Sequence, residues 1–284
     1  MPISPSSSAQ AAREVVAHRL RDLRKSAGLT VTELATRCNW HHAKTSRIEN
    51  ARTAPTATDI RLWCRACDAV DQAEGLITQS LHAESMYTEW RTQVRDGLKA
   101  LQSREPRLFQ DTAFFRVYSS SLVPGLLQTE GYAAGVLGIS ALFREVPVDD
   151  SAAAARARVE RSRIIHEPGR RFVFVVEEAA LRYRVCDADA MAAQLGYLLT
   201  AGALPQVSLG ILPMDTPSRE QWPRETFHVY DDRLVSVELV SARVRITQAT
   251  EIALYLRAFE QLRATAVYGA DARALIVQAI DALR

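Results

Sequence analysis

Leu20-Arg21-Asp22-Leu23-Arg24-Lys25-Ser26-Ala27-Gly28-Leu29-Thr30-Val31-Thr32-Glu33-Leu34-Ala35 decides the fold of the first quarter of this chain. Val16, Leu20 and Leu23, with Ala27 after them, fall on one face of a helix over residues 13–27. Gly28 suits a left-handed cap that ends it. Thr30, followed by Glu33, is the capping-box pattern that starts a second helix. Leu34, Ala35 and Cys38 supply that helix's buried face, and Asn39-Trp40 turn the chain.

A third helix is predicted at about 41–49, with Ile48 facing inward. Pro55-Thr56 open a fourth, with Thr56 and Asp59 as caps and Ile60, Cys64 and Cys67 as its apolar stripe. The CxxC spacing of Cys64 and Cys67 would need two further ligands for a zinc site, with Cys38, His41 and His42 the candidates close in sequence; the preferred reading is of two small core residues on a helix face. The expectation is an all-α, five-helix bundle with helix-turn-helix layout over residues 13–70.

A helix-turn-helix sets its second helix in the major groove, where base edges differ. That helix needs one inward apolar residue and outward polar ones. His41-His42-Ala43-Lys44-Thr45-Ser46-Arg47-Ile48-Glu49-Asn50 has this layout. Arg47 has the fork that bonds guanine bidentately. Lys44, Ser46 and His42 reach for bases or phosphates, and Asn50 and Arg52 lie just beyond the helix. Arg19, Arg21, Lys25 and Arg37 add attraction that does not depend on sequence. Residues 1–70 hold 11 Lys/Arg against 6 Asp/Glu, a net +5, whereas the whole chain is only +2. A basic head on a mildly acidic body fits a nucleic-acid reader.

The quoted stretch, with Ser46-Arg47-Ile48-Glu49-Asn50-Ala51-Arg52-Thr53-Ala54-Pro55, closely resembles the XRE family of phage-repressor-like regulators over residues 13–68. The resemblance implies a structural ion pair between Arg24 and Glu49. It implies base-facing roles for His42, Ala43, Lys44, Ser46 and Arg47, and phosphate contacts from Thr32, Arg37, Asn50, Arg52 and Lys25. Val31 stands where the family usually has a polar, phosphate-contacting residue, and Thr32 takes that role. Thr45 stands where the family often has an apolar residue. Such regulators usually read two half-sites of a double-stranded DNA operator as homodimers.

Apolar residues make up 48% and charged residues 24% of the 284, an ordinary globular balance. No run approaches the ~20 apolar residues that span a membrane. The start, Met1-Pro2-Ile3-Ser4-Pro5, lacks a basic region followed by an apolar one, and residues 1–12 read as a disordered tail. These features predict a cytoplasmic protein. Residues 71–105 read as a helical connector, with Leu76, Leu81, Trp90, Val94, Leu98 and Leu101 along a helix that Glu105-Pro106 breaks.

Residues 106–284 read as a larger α+β effector domain with a mixed sheet. Strands are predicted at 172–176, 207–212, 226–230, 234–240 and 244–247, and helices at 126–138, 150–165, 188–200, 249–265 and 270–283. Strand 172–176, helix 188–200 and strand 207–212 suggest a parallel βαβ unit. Asp231-Asp232-Arg233 reads as a hairpin turn. No nucleophile elbow, phosphate loop, HExxH or dinucleotide fingerprint occurs, and no cofactor or catalytic residue is expected. Glu177 and Glu178 at a strand end read as solvated acids.

Leu122-Val123-Pro124-Gly125-Leu126-Leu127-Gln128-Thr129-Glu130-Gly131-Tyr132-Ala133 resembles a motif of the C-terminal domain of actinomycete WhiJ-like regulators. So do Glu177–Arg182, Gln194-Leu195 and Val207–Pro213. The loop 214–223 lacks the Gly and His usual in that family. The resemblance implies an antitoxin-like regulator with a small acidic protein partner encoded beside it; the alternatives are a small-molecule sensor and, behind it, a DNA-tethered enzyme. Candidate contact residues are Gln128, Thr129, Glu177, Arg182, Trp222 and Phe227. A helix starting near Leu126 would hold Gln128, Thr129 and Glu130 in its first turn, with free amides for an anion or a partner.

Overall fold

The structure is a computed structural model that describes residues 7–85, 87–89, 94, 97–102, 106–146 and 150–283. It divides into two compact units: residues 1–88 with 242–248, and residues 89–241 with 249–284.

The first unit contains α1 (Ser7–Ser26), α2 (Val31–Arg37), α3 (His42–Glu49), α4 (Ala57–Ala66) and α5 (Ala73–Ser85). The helix stops follow from local chemistry. Gly28 takes φ 68, the left-handed geometry expected after α1. Thr30 and Thr56 each form a complete capping box, with Glu33 and Asp59 respectively. Asn39 turns the chain at φ 55, a conformation asparagine tolerates well.

Val16, Leu20, Leu23, Leu34, Ile48, Ile60 and Trp63 make one core. Fully buried Trp63 satisfies its indole N–H on the Leu20 carbonyl at 3.0 Å. Cys38, Cys64 and Cys67 lie in the same core as free thiols. Burial pushes the Cys67 thiol up to about 11, as expected of a packing cysteine.

Two sequence expectations are corrected here. α1 begins at Ser7, inside the stretch expected to be a tail; residues 1–6 lie outside the described residues. The expected 71–105 helical connector is not one continuous helix. α5 ends at Ser85 and is followed by β1 (Tyr87–Glu89) and a short α6 (Leu98–Gln102). Ala73, Leu76 and Ile77, at i, i+3 and i+4, bury in the bundle core, so α5 is its fifth helix and not a spacer. Trp90 and Glu105 lie outside the described residues. Pro106 opens α7 (Pro106–Gln110), the first-turn position proline tolerates.

The second unit carries a mixed sheet. Its strands are β2 (Phe114–Ser119), β3 (Arg171–Glu177), β4 (Val207–Leu212), β5 (Phe227–Tyr230) and β6 (Leu234–Glu238), in the order β6-β5-β2-β3-β4. A further strand, β7 (Ala242–Ile246), groups with the first unit. β2 is central and pairs parallel to β3, which pairs parallel to β4; its other neighbour, β5, is antiparallel. Helices α8 (Glu130–Phe143), α9 (Ser151–Ser162), α10 (Glu178–Arg182), α11 (Ala188–Ala201), α12 (Ala249–Thr265) and α13 (Gly269–Asp281) complete the α+β domain.

The predicted βαβ unit is β3, α11 and β4. Asp231 turns the β5–β6 hairpin at φ 50, and its carboxylate accepts the Ala113 and Phe114 amides. Phe115 stacks on its register partner Phe172 at 4.8 Å, and both belong to the core with Phe174, Leu195 and Ile276. Gly210 is required where it stands: an added Cβ would lie 2.7 Å from the Tyr268 ring.

Candidate nucleic-acid interface

α2, the turn at residues 38–41 and α3 form the helix-turn-helix. His41 is the N-cap of α3, its imidazole Nδ1 accepting the Ala43 amide at 3.2 Å. The α3 side chains divide cleanly. Thr45, Ile48 and Glu49 are buried, while His42, Ser46 and Arg47 are exposed. Thr45 is held inward because its hydroxyl accepts the Trp40 indole N–H at 2.9 Å.

A buried ion pair fixes α3 against α1. Arg24 Nε lies 2.6 Å and Nη2 3.0 Å from the two Glu49 carboxylate oxygens, a bidentate fork. Arg24 Nη1 also donates to the Leu29 carbonyl at 2.7 Å, tying the α1–α2 turn to the same point. The Glu49 bond drives the Arg24 guanidinium above its usual range despite the opposing effect of burial. The half-buried Arg21 donates to the Glu49 carbonyl, at the end of α3. The pair thus ties α3 to α1 and to the α1–α2 turn at one point.

The predicted contact residues fall into two groups. His42, Ser46, Arg47, Arg52, Thr32 and Lys25 have exposed side chains, and Arg47, Arg52 and Lys25 have no side-chain hydrogen bond or ion pair with the described residues. The others are engaged within the protein. Ala43 is half-buried. Lys44 bonds Asp59 at 2.6 Å and lies 4.6 Å from the Trp40 ring centroid. Arg37 donates to the Ala66 carbonyl at 3.0 Å, and Asn50 to the Ser46 carbonyl at 2.8 Å.

Lys44–Asp59 was not foreseen, because 15 positions separate the partners and only tertiary packing joins α3 to the capping box of α4. Nor was the His41 cap, since histidine is not among the common N-cap residues.

Burial would raise the Asp59 carboxyl, but Lys44 and the Thr56 bonds outweigh it and hold it below the ordinary aspartate range. A depressed native pKa adds stability that is complete above about pH 4 and is lost as pH falls through the native value. Asp59→Asn is therefore expected to cost about 1–2 kcal/mol at neutral pH. That deficit should shrink below about pH 4. Urea melts of both proteins between pH 3 and 7 check this.

In the second unit the predicted residues do not converge. Gln128 is buried, donates to the Val123 carbonyl at 2.7 Å and accepts from Arg158. The helix expected from Leu126 begins instead at Glu130, with Thr129 as N-cap, and Gly125–Leu127 form a short 3-10 turn. The Thr129 amide is not free. It donates at 2.7 Å to Gln194 Oε1, while Gln194 Nε2 donates at 2.6 Å to the Leu127 carbonyl. One buried glutamine side chain therefore clasps the whole motif, which serves the domain core.

Glu177 and Glu178 are buried, correcting the solvated reading. Glu177 receives Arg219 in a fork at 3.0 and 2.6 Å and the Tyr118 hydroxyl at 2.8 Å. Glu178 pairs with Arg182 at 2.6 Å and accepts the Met214 amide at 3.0 Å. Both acids thus tie the loop after β4 to the end of β3. Trp222 is exposed beneath Arg224, and Phe227 is buried against Tyr118 and Phe259.

Residues 111–278 match the family model described as a domain of unknown function, DUF5753. The chain belongs to the DUF5753 family. Ahead of the DUF5753 domain, residues 15–74 match a helix-turn-helix domain model, the span that holds α2, the turn and α3. The pairing is that of a DNA-binding regulator whose DUF5753 portion has no assigned role. No curated protein and no solved structure matches the chain. Among the described residues, no helix is long and apolar enough to cross a membrane.

Proposed function

We propose that this DUF5753 protein is an XRE-like, sequence-specific transcriptional regulator that binds a DNA operator as a homodimer. The observation that carries the reading is the outward face of α3. His42, Ser46 and Arg47 are exposed, and Arg47 is unpaired, on a helix locked from behind by Arg24–Glu49. Arg47 reads a guanine edge, with Ser46 and His42 beside it. Arg52, Lys25 and Thr32 contact phosphates. Lys44, held by Asp59, sets the helix and approaches DNA only at its edge.

The C-terminal domain is read as a binding domain rather than an enzyme, supported by the commitment of Glu177 and Glu178 to arginine partners. On the antitoxin-like, WhiJ-like reading it takes a small protein partner that alters DNA binding. A second reading, small-molecule sensing, is favoured by a cleft of about 240 Å³ beside Phe227.

Fluorescence anisotropy on the DNA upstream of the gene, at two salt concentrations, tests the DNA reading. Arg47→Ala is expected to lose about 1–3 kcal/mol of binding and relax preference at one base pair. Lys25→Ala should weaken all sequences alike and lower the salt slope by roughly 0.9. Unchanged affinity and base preference in Arg47→Ala would refute the placement of the recognition helix. Sedimentation of a stable monomer on operator DNA would refute the dimer. Repeating the titration with the neighbouring small protein tests the partner.

A further inference from the structure

A cleft of about 240 Å³ opens in the second unit between β5, the segment just before it and α12. Leu254, Arg257, Ala258 and Gln261 line it from α12, at i, i+3, i+4 and i+7, so one stripe of that helix faces it. Tyr255 supplies an aromatic surface, its ring backed edge to face by the buried Phe227 at 5.0 Å between centroids. Phe227 is the register partner of Tyr118 near the carboxyl end of β2, so the cleft lies beside that end of the strand. A cleft with a few converging polar groups is the usual place for a small ligand.

The polar groups of the cleft are unevenly matched. Arg224 directs Nε and Nη2 at a neutral acceptor, Gln221 Oε1, at 3.0 and 2.7 Å, and its guanidinium lies 3.8 Å from the Trp222 ring centroid. Arg257 has no side-chain hydrogen bond or ion pair with the described residues. Among the described residues lining the cleft the one carboxylate, Glu225, already accepts the Tyr255 hydroxyl at 2.8 Å, and Glu251, one turn before Tyr255 on α12, adds a second negative charge nearby. Two guanidinium groups thus face a partly apolar cleft, and neither bonds a carboxylate among the described residues. Trp222 is 64% and Leu254 54% exposed, which leaves apolar surface for a ligand to cover.

We propose that this cleft binds a small aromatic carboxylic acid. Its ring packs on Tyr255 and Leu254, and its carboxylate takes the forks of Arg224 and Arg257. A single carboxylate answers both forks, and the apolar part of the lining disfavours a fully hydrated dianion. This deepens the small-molecule reading of the domain and rests on that reading alone, not on DNA binding.

Isothermal titration of the full chain with 1-naphthaleneacetate and with its neutral isostere 1-naphthaleneacetamide tests it. The acid is expected to bind below millimolar Kd and the amide roughly tenfold more weakly. The Arg224→Gln/Arg257→Gln double variant should erase that preference, and Leu254→Asp should weaken both probes. These residues are at least partly exposed, so melting temperatures should move by no more than about 2 °C. Equal binding of acid and amide would overturn the anion assignment while leaving a ligand cleft. Binding of neither would overturn the small-molecule reading with it.

Discussion

Replacing Glu49 by alanine is expected to destabilise the N-terminal unit by about 3–5 kcal/mol, the cost of leaving a buried charge without its partner. Glu49 is 6% and Arg24 9% exposed, so water cannot replace the lost carboxylate. The Arg24 guanidinium would keep only the Leu29 carbonyl. Replacing both partners with apolar residues of similar volume, Arg24→Met with Glu49→Leu, should recover most of the loss. Urea unfolding followed by circular dichroism measures both. The two variants separate stability from geometry. If the pair sets the tilt of α3, the double variant folds but binds its operator less tightly than the wild type. Full affinity in the double variant would limit the pair to a stabilising role.

Glu177→Ala is expected to cost the C-terminal domain a similar amount, about 3–5 kcal/mol. Glu177 is 4% exposed and is the carboxylate that meets both Arg219 and the Tyr118 hydroxyl. Burial, and then the bond to Glu177, push the Tyr118 phenol above its usual range, so it is the protonated donor at any physiological pH. Removing the carboxylate orphans both donors. It also frees Arg219, which anchors the loop between β4 and β5. Hydrogen exchange should accelerate in residues 213–226 more than in β4 itself. Glu177→Gln keeps an acceptor for the Tyr118 hydroxyl and should lose less than the alanine variant. Uniform acceleration across the sheet would mean that Glu177 supports the core and not the loop.

The N-terminal unit was legible because its instructions are local. Capping boxes at Thr30 and Thr56, the left-handed Gly28 and the i, i+4 apolar spacing act within a few residues, and each is realised. The Arg24–Glu49 pair, 25 positions apart, was reached through family resemblance and not from the residues themselves. The central strand β2 was missed. Phe114-Phe115-Arg116-Val117-Tyr118-Ser119 alternates only weakly, because a strand flanked on both edges buries most of both faces. Its aromatic and β-branched content was the signal available.

Sequence alone determined where the helices of the DNA-binding head start and stop, and which side of α3 is polar. Those outcomes depend on hydrogen bonds and side-chain spacing within one or two turns. Tertiary structure alone decided which polar residues were still free to act. Lys44, Gln128, Glu177 and Glu178 look like contact residues or solvated groups in the chain, yet each is engaged by a partner at least 4 and up to 42 positions away. Apart from Glu178–Arg182, an i, i+4 pair on one helix, these partners meet only where packing brings them, and no local pattern records that choice.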